Sequence, residues 1–370
     1  MRYDLFIIDD DLNMTEKDLN KQPACWINFQ NGYFDPIENR MVPHDPQYFT
    51  TSQVASSYDP KEKPRGDLME EWLRFAVEEP DDREMLLQYF GYCLTRDTRQ
   101  QKFMIITGTG GTGKSTMIKL LERIVGDENT CHISISEFSE RFASIGLKDK
   151  LVNSCSELKA GDLKDTSRLK KIIGEDMLRG EAKGKDAISF RSCAKLIFSA
   201  NALPLIKDEK SNGFYRRLLI LPMNHIPEKP QEDLFEQLEK ELPYFLHLCV
   251  DALVRMYQGR QITKSRQSRR AVAQLRYESD PVEAFLMDET DRTCQGQVKR
   301  GELYSEYMAY CMSAGLKYES RNAFYNAMRI KGHAEKTVTG NHMFCGVSLK
   351  DRSVMPVYPK SASTISSSLM

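Results

Sequence analysis

The nine cysteines of this 370-residue chain, at 25, 93, 131, 155, 193, 249, 294, 311 and 345, include no CxxC pair. That absence removes a zinc ribbon and a dithiol redox motif from consideration. Scattered thiols in a chain of this size read as buried and reduced, hence as cytoplasmic. An excess of one charge sign is missing too. Lys and Arg number 52 against 53 Asp and Glu, so global charge says nothing of a polyanionic partner and only local clusters can. No stretch approaches the roughly eighteen apolar residues of a membrane span. The opening MRYDLFIIDDDLNM has one basic residue, a short apolar run and then three acids, unlike a secretory signal. No internal repeat is visible.

What is present reads as several units. Residues 1–95 form a loop-rich, then helical region. Turn signals at Asn31-Gly32, Asp35-Pro36 and Asp45-Pro46 suggest a short hairpin and an irregular strap. Helices follow over 67–95, with Asp67 as one cap and Asp81 or Asp82 as the other. Residues 96–225 alternate apolar strands with helical segments. The strands are Lys102–Thr107, CHISI near 131, LVNSC near 151, KLIFSA near 195 and RRLLILP near 217. This alternation predicts an α/β core with a parallel sheet covered on both faces. Residues 226–278 read as a long helix over 231–257, bent at Pro243, and a basic run. That run, Arg255, Arg260, Lys264, Arg266, Arg269, Arg270 and Arg276, is either an exposed helix or a linker. Residues 279–350 read as three helices and a hairpin turning at Gly340-Asn341, and 351–370 as a polar, disordered tail.

The densest signal is KFMIITGTGGTGKSTMIKLLERIV, residues 102–125. Gly108, Gly113, Lys114 and Ser115 fit G-x-x-x-x-G-K-[ST] between a strand and a helix. Gly108, Thr109, Gly110, Gly111, Thr112 and Gly113 let the backbone curl so that its N–H groups face phosphate oxygens. Lys114 neutralises the β/γ charge of ATP, Ser115 holds Mg²⁺, and Thr116 continues the helix whose positive end faces the phosphates.

Partners for this loop are sought at later strand ends. Glu157 follows LVNSC and is read as metal partner and water-polarising base; the alternative is an acid starting a helix. Only one acid stands there, since Ser156 precedes it. Asn201 ends KLIFSA, where an amide can orient water or the γ-phosphate, or simply cap a turn before Pro204. Arg217, with Arg216 beside it, begins a strand. It is either solvated or reaches the nucleotide of a neighbouring subunit. Lys183 and Lys185 flank a hairpin turn and suit a phosphate backbone, or are plain surface residues.

The ordered set of P-loop, single acid, basic hairpin, Asn and Arg-Arg resembles superfamily 3 helicases, in particular the helicase half of phage and plasmid primase-helicases. INFQNGYFDPIENRMVPHDPQYFTT, LKKIIGEDMLRGEAKGK, KLIFSANALP, GFYRRLLILP and YESDPVEAFL carry the likeness along nearly the whole chain. The resemblance implies an AAA+ core, a winged-helix-like DNA-binding domain over 279–350, and hexameric rings. It implies ATP held between subunits, with Arg217 supplied in trans by the neighbour and preferred to Arg216 because it borders the strand directly. Lys183 and Lys185 would line a channel that moves along single-stranded or forked DNA beside a separate primase or polymerase. No archaeo-eukaryotic-type primase domain is expected within these residues. The expected activity is ATP-driven DNA unwinding. An ATP-switched initiator or loader, and a small-molecule kinase, are the competing readings.

Overall fold

The computed structural model describes residues 19–350 except 141, 159–162, 164–165, 182, 185, 205, 207–211, 230 and 294. The expectations for the N-terminal run, Lys185 and the polar tail lie outside these residues. Two compact units divide the chain after Ser279.

The first unit opens with an antiparallel sheet of β1 (Ile27–Phe29), β2 (Gly32–Asp35) and β3 (Arg40–Val42). Asn31 then holds the strap by both amide atoms: Nδ2 donates to the Tyr58 carbonyl at 2.9 Å and Oδ1 accepts from its N–H at 3.1 Å. Helix α1 (Asp67–Ala76) starts after Gly66, so Asp67 sits in its first turn instead of capping it. Helix α2 (Pro80–Cys93) starts at proline, whose missing N–H costs nothing there, which places Asp81 and Asp82 inside the first turn.

The α/β core follows. It contains β4 (Phe103–Thr107), α3 (Lys114–Val125), β5 (Thr130–Cys131), β6 (Val152–Cys155) and α4 (Ser167–Ile173). A hairpin of β7 (Leu178–Gly180) and β8 (Ile188–Phe190) precedes β9 (Lys195–Ala200), α5 (Asn212–Tyr215) and β10 (Leu218–Pro222). Five strands pair in the order β10-β4-β9-β6-β5, all parallel. A strand turns alternate side chains to opposite faces, and the sequence uses both. Met104, Ile106, Ile197, Leu219 and Leu221 enter one buried cluster; Phe103, Ile105, Leu196, Phe198, Leu218 and Ile220 enter the other. That two-sided burial is why these strands read as unbroken apolar runs.

Residues 226–279 join the same unit. The long helix expected over 231–257 is two helices, α6 (Leu234–Glu239) and α7 (Leu242–Gly259). Pro243 lies in the first turn of α7, so it starts a helix instead of bending one. Most of the basic run is helical: α8 (Arg266–Ser279) buries Leu275, and Ser268 Oγ accepts from the Ile220 N–H at 3.0 Å. Several of its cations have internal partners. Arg255 binds Glu84 at 2.7 Å, and Arg276 donates to Asn212 at 2.8 Å.

The second unit is winged-helix-like, with α9 (Pro281–Glu289), β11 (Thr290–Asp291), β12 (Gln297–Lys299), α10 (Arg300–Ser313) and α11 (Arg321–Ile330). The hairpin β13 (Glu335–Val338) and β14 (Asn341–Cys345) and then β15 (Ser348–Leu349) complete it. The hairpin turns at Thr339-Gly340, one residue earlier than expected, and both residues take positive φ. Strand β12, not foreseen, adds to β14. Lys331 is buried against Asp280 and against Glu283 at 2.7 Å, so its charge is paired.

Candidate functional site

The loop from Gly108 to Gly113 leaves β4 at the carboxyl edge of the parallel sheet. It is fixed on both flanks. Gly108 N–H donates to the Ala200 carbonyl of β9 at 3.2 Å, and Met223 N–H donates to the Thr107 carbonyl at 2.7 Å. A Cβ at Gly108 would stand 1.9 Å from the Met223 carbonyl oxygen, so only glycine fits. Gly113, at φ 87°, turns the chain into α3 over the Trp72 ring. Among the described residues, the N–H groups of Thr109 to Gly113 meet no backbone acceptor.

Lys114 is buried. Its Nζ donates to the carbonyls of Gly108 at 2.6 Å and Thr109 at 2.7 Å, and burial lowers its pKa. The loop thus folds around its own lysine, with Thr112 Oγ1 closing it onto Thr109 O at 3.1 Å. Ser115 is exposed at the head of α3.

Two further expected residues lie at this same edge. Asn201 directly follows Ala200, which pairs with Thr107, and is exposed. Glu157 lies two residues beyond β6, exposed, in a segment held to β9 by the Leu158 N–H bond to Ser199 O at 2.8 Å. Strand β9 separates β6 from β4, so Asn201 stands between the P-loop strand and the Glu157 strand. An anionic nucleotide with Mg²⁺ fits this donor set. The loop supplies unpaired N–H groups and a lysine, while Ser115 and Glu157 offer the one hydroxyl and one carboxylate that magnesium commonly takes beside phosphate oxygens and water.

The arginines are elsewhere. Arg217 precedes β10, whose Leu218 pairs with Phe103, so both arginines lie at the amino edge of the sheet. A five-residue strand, about 16 Å long, separates them from the loop. Arg217 is half-buried and donates to Gly213 O at 2.5 Å and Gln101 Oε1 at 3.2 Å. Burial first, then Arg216, lowers its pKa. Arg216 is exposed, and among the described residues its side chain makes no hydrogen bond or ion pair. Lys183 is exposed at the turn between β7 and β8, and Lys185 lies outside the described residues.

Sequence reasoning missed two neighbours. Trp72 packs behind Gly113, and Lys102 donates to the Arg216 carbonyl. Trp72 carried no local signal, because its role depends on α1 folding back onto the loop. Lys102 was visible only as the first residue of an expected apolar strand.

Comparison with known proteins places these features in context. A family of unknown function (DUF5906) matches residues 106–217, the span from the P-loop strand to Arg217. A second model, described as D5 N terminal like, matches residues 7–78. A putative helicase of Acanthamoeba polyphaga mimivirus is 28% identical over 206 residues, which is 53% of this chain and 21% of that protein. A putative primase of African swine fever virus is 24% identical over 200 residues, 50% of this chain and 20% of that protein. The chain therefore spans about a fifth of these viral relatives. An uncharacterised mitochondrial protein of Marchantia polymorpha is 27% identical over 148 residues, 36% of this chain and 82% of that one. Among solved structures, the apo C-terminal region of NrS-1 shares the fold, with a TM-score of 0.51 at 13% identity over 77% of each chain. No helix among the described residues is long and apolar enough to cross a membrane. The D5 N terminal like match and the viral relatives named as a putative helicase and a putative primase meet along one chain, and together they support a likeness to the phage and viral primase-helicases.

Proposed function

We propose that the chain is an ATP-dependent DNA helicase acting in the replication of a phage, virus or other mobile element. One observation carries the reading: Lys114 and the unpaired loop N–H groups share a sheet edge with Glu157 and Asn201, while the exposed Arg216 stands at the opposite edge. The first set makes a nucleotide pocket around a single buried cation, Lys114. The second is a cation too far from its own pocket to complete it. Copies arranged in a ring satisfy both, and the strand order agrees with an AAA+ core.

In this reading ATP phosphates replace the Gly108 and Thr109 carbonyls as partners of Lys114 Nζ, and the loop N–H groups take the phosphate oxygens. Ser115 and Glu157 would hold Mg²⁺, which supplies neutralising charge when bound. The Glu157 carboxylate accepts a proton from the attacking water, and the Asn201 amide orients that water. Lys183 and Lys185 grip single-stranded DNA without sequence preference, and the second unit contacts the duplex.

The test is ATP turnover by the full chain with and without single-stranded DNA, beside a forked-duplex displacement assay. DNA-stimulated turnover and displacement are expected in wild type, with both lost in Lys114→Ala and turnover strongly reduced in Glu157→Gln. Turnover that ignores DNA, without displacement, would instead identify an ATP-switched loader.

A further inference from the structure

The amino edge of the sheet gathers more positive charge than an arginine pair alone. Lys102, between Arg216 and the start of β4, has its pKa lowered by burial first and then by Lys264, Arg216 and Arg217. Its Nζ donates to the Arg216 carbonyl, which holds the ammonium beside that arginine. At Arg217 the opposing influence is Asp176. A group of cations at this density is stabilised by an incoming anion.

The two arginines are not equivalent. Arg216 is exposed and unbonded among the described residues. Arg217 is tied down through Gly213 and Gln101, and its buried Nε has no acceptor among them. A Cβ at Gly174 would lie 3.6 Å from Arg217 Nη2, so the guanidinium rests against Gly174. Gly174 ends α4, and Glu175, at φ 66°, turns the chain toward β7 of the basic hairpin. Thr98 Oγ1 donates to Glu175 Oε1 at 2.6 Å. Thr98 and Gln101 belong to the one short loop that leads into β4, the P-loop strand. Gln101, at φ 49°, and Glu175 both hold left-handed conformations that non-glycine residues seldom adopt. The start of the P-loop strand, the start of the arginine strand and the base of the hairpin are therefore joined by side-chain bonds at one point.

We infer that this point is where one copy reads the nucleotide of the next: Arg216 and Lys102 meet the neighbour's triphosphate, and Arg217, through Gln101 and Gly174, fixes that contact to the base of the β7–β8 hairpin. The inference rests on the helicase reading and adds to it the anion-binding Lys102 and three positioning residues, Gln101, Thr98 and Glu175. Their action is indirect. They touch neither nucleotide nor DNA, and their loss uncouples the two.

The experiment measures ATP turnover of the full chain against single-stranded oligonucleotide concentration, with thermal melting of each variant. Gln101→Ala and Thr98→Val each remove one bond of the link. Turnover without DNA stays near wild type, and stimulation by DNA falls about fivefold, as expected for loss of coupling along a packed route. Gln101→Glu keeps an acceptor for Arg217 and retains wild-type stimulation. Full stimulation in both Gln101→Ala and Thr98→Val overturns the link. So does an equal fall of basal and stimulated turnover with a lowered melting point, because that is plain destabilisation. A wild-type chain whose turnover responds neither to DNA nor to Lys114→Ala is a different failure, and it sinks the helicase reading itself.

Discussion

Lys114 is held by the carbonyls of its own loop, Gly108 and Thr109, which a phosphate would have to displace under the proposed function. The loop is thus already curled, with its charge inward, and under the proposed function little chain entropy would be lost on nucleotide entry. Gly108 sets that curl. Gly108→Ala drives a methyl into the Met223 carbonyl and should cost more than about 1 kcal/mol in chemical denaturation, with loss of nucleotide affinity by titration. Unchanged stability would show that the strand ends can part. The residues that share the carboxyl edge of the sheet could be picked out where the signal is local. The glycines, Lys114 and Ser115 form one contiguous motif, and Glu157 and Asn201 are polar residues closing apolar strands. The division between Arg216 and Arg217 was not legible. Gln101, which anchors Arg217, is 116 residues away in the chain.

At the scale of elements, both-face burial made the core strands readable, though the one expected over CHISI near 131 is only Thr130–Cys131, and the same burial hides a cation. Lys195 begins β9, its Nζ donating to Thr95 O and, at 3.1 Å, to Cys193 O, 4.9 Å from the Tyr92 ring centre. Burial pushes its pKa down to about 8. The folded value lies below the unfolded one, so between them the unfolded chain binds more protons and stability rises with pH. Denaturation of wild type should therefore show a stabilising contribution growing from pH 8 to about 10.5, worth up to roughly 3 kcal/mol, that Lys195→Met lacks. Parallel pH profiles would contradict a buried, strained ammonium. The hairpin makes a separate prediction. Replacing Lys183 and Lys185 by Ala should flatten the salt dependence of single-strand binding by about 1.4 in log–log slope, with nucleotide binding kept. An unchanged slope moves the DNA contact elsewhere. Element boundaries were less legible. A proline inside an apolar, charged periodicity fits a bend or a fresh start equally, and only packing chose the break before α7. Strand β12 escaped notice because three residues, Gln297–Lys299, carry too short a pattern and are strand only through pairing with β14.

For the whole molecule, the P-loop and the exposed Arg216 lie at opposite edges of one sheet, about a strand length apart. Within one copy they cannot meet. The proposed function therefore requires sites shared between copies. Two variants, each removing one half of such a site, isolate the claim: Arg216→Ala spares the P-loop, and Lys114→Ala spares the donated cation. Each homogeneous preparation is expected to be inactive. The most direct measurement mixes the two at equal concentration, in the presence of single-stranded DNA, and follows ATP turnover. Recovered turnover is predicted, because some interfaces then pair an intact P-loop with an intact Arg216. Turnover that stays at the level of the separate variants, with wild type remaining monomeric by native mass while it hydrolyses ATP, would contradict the account.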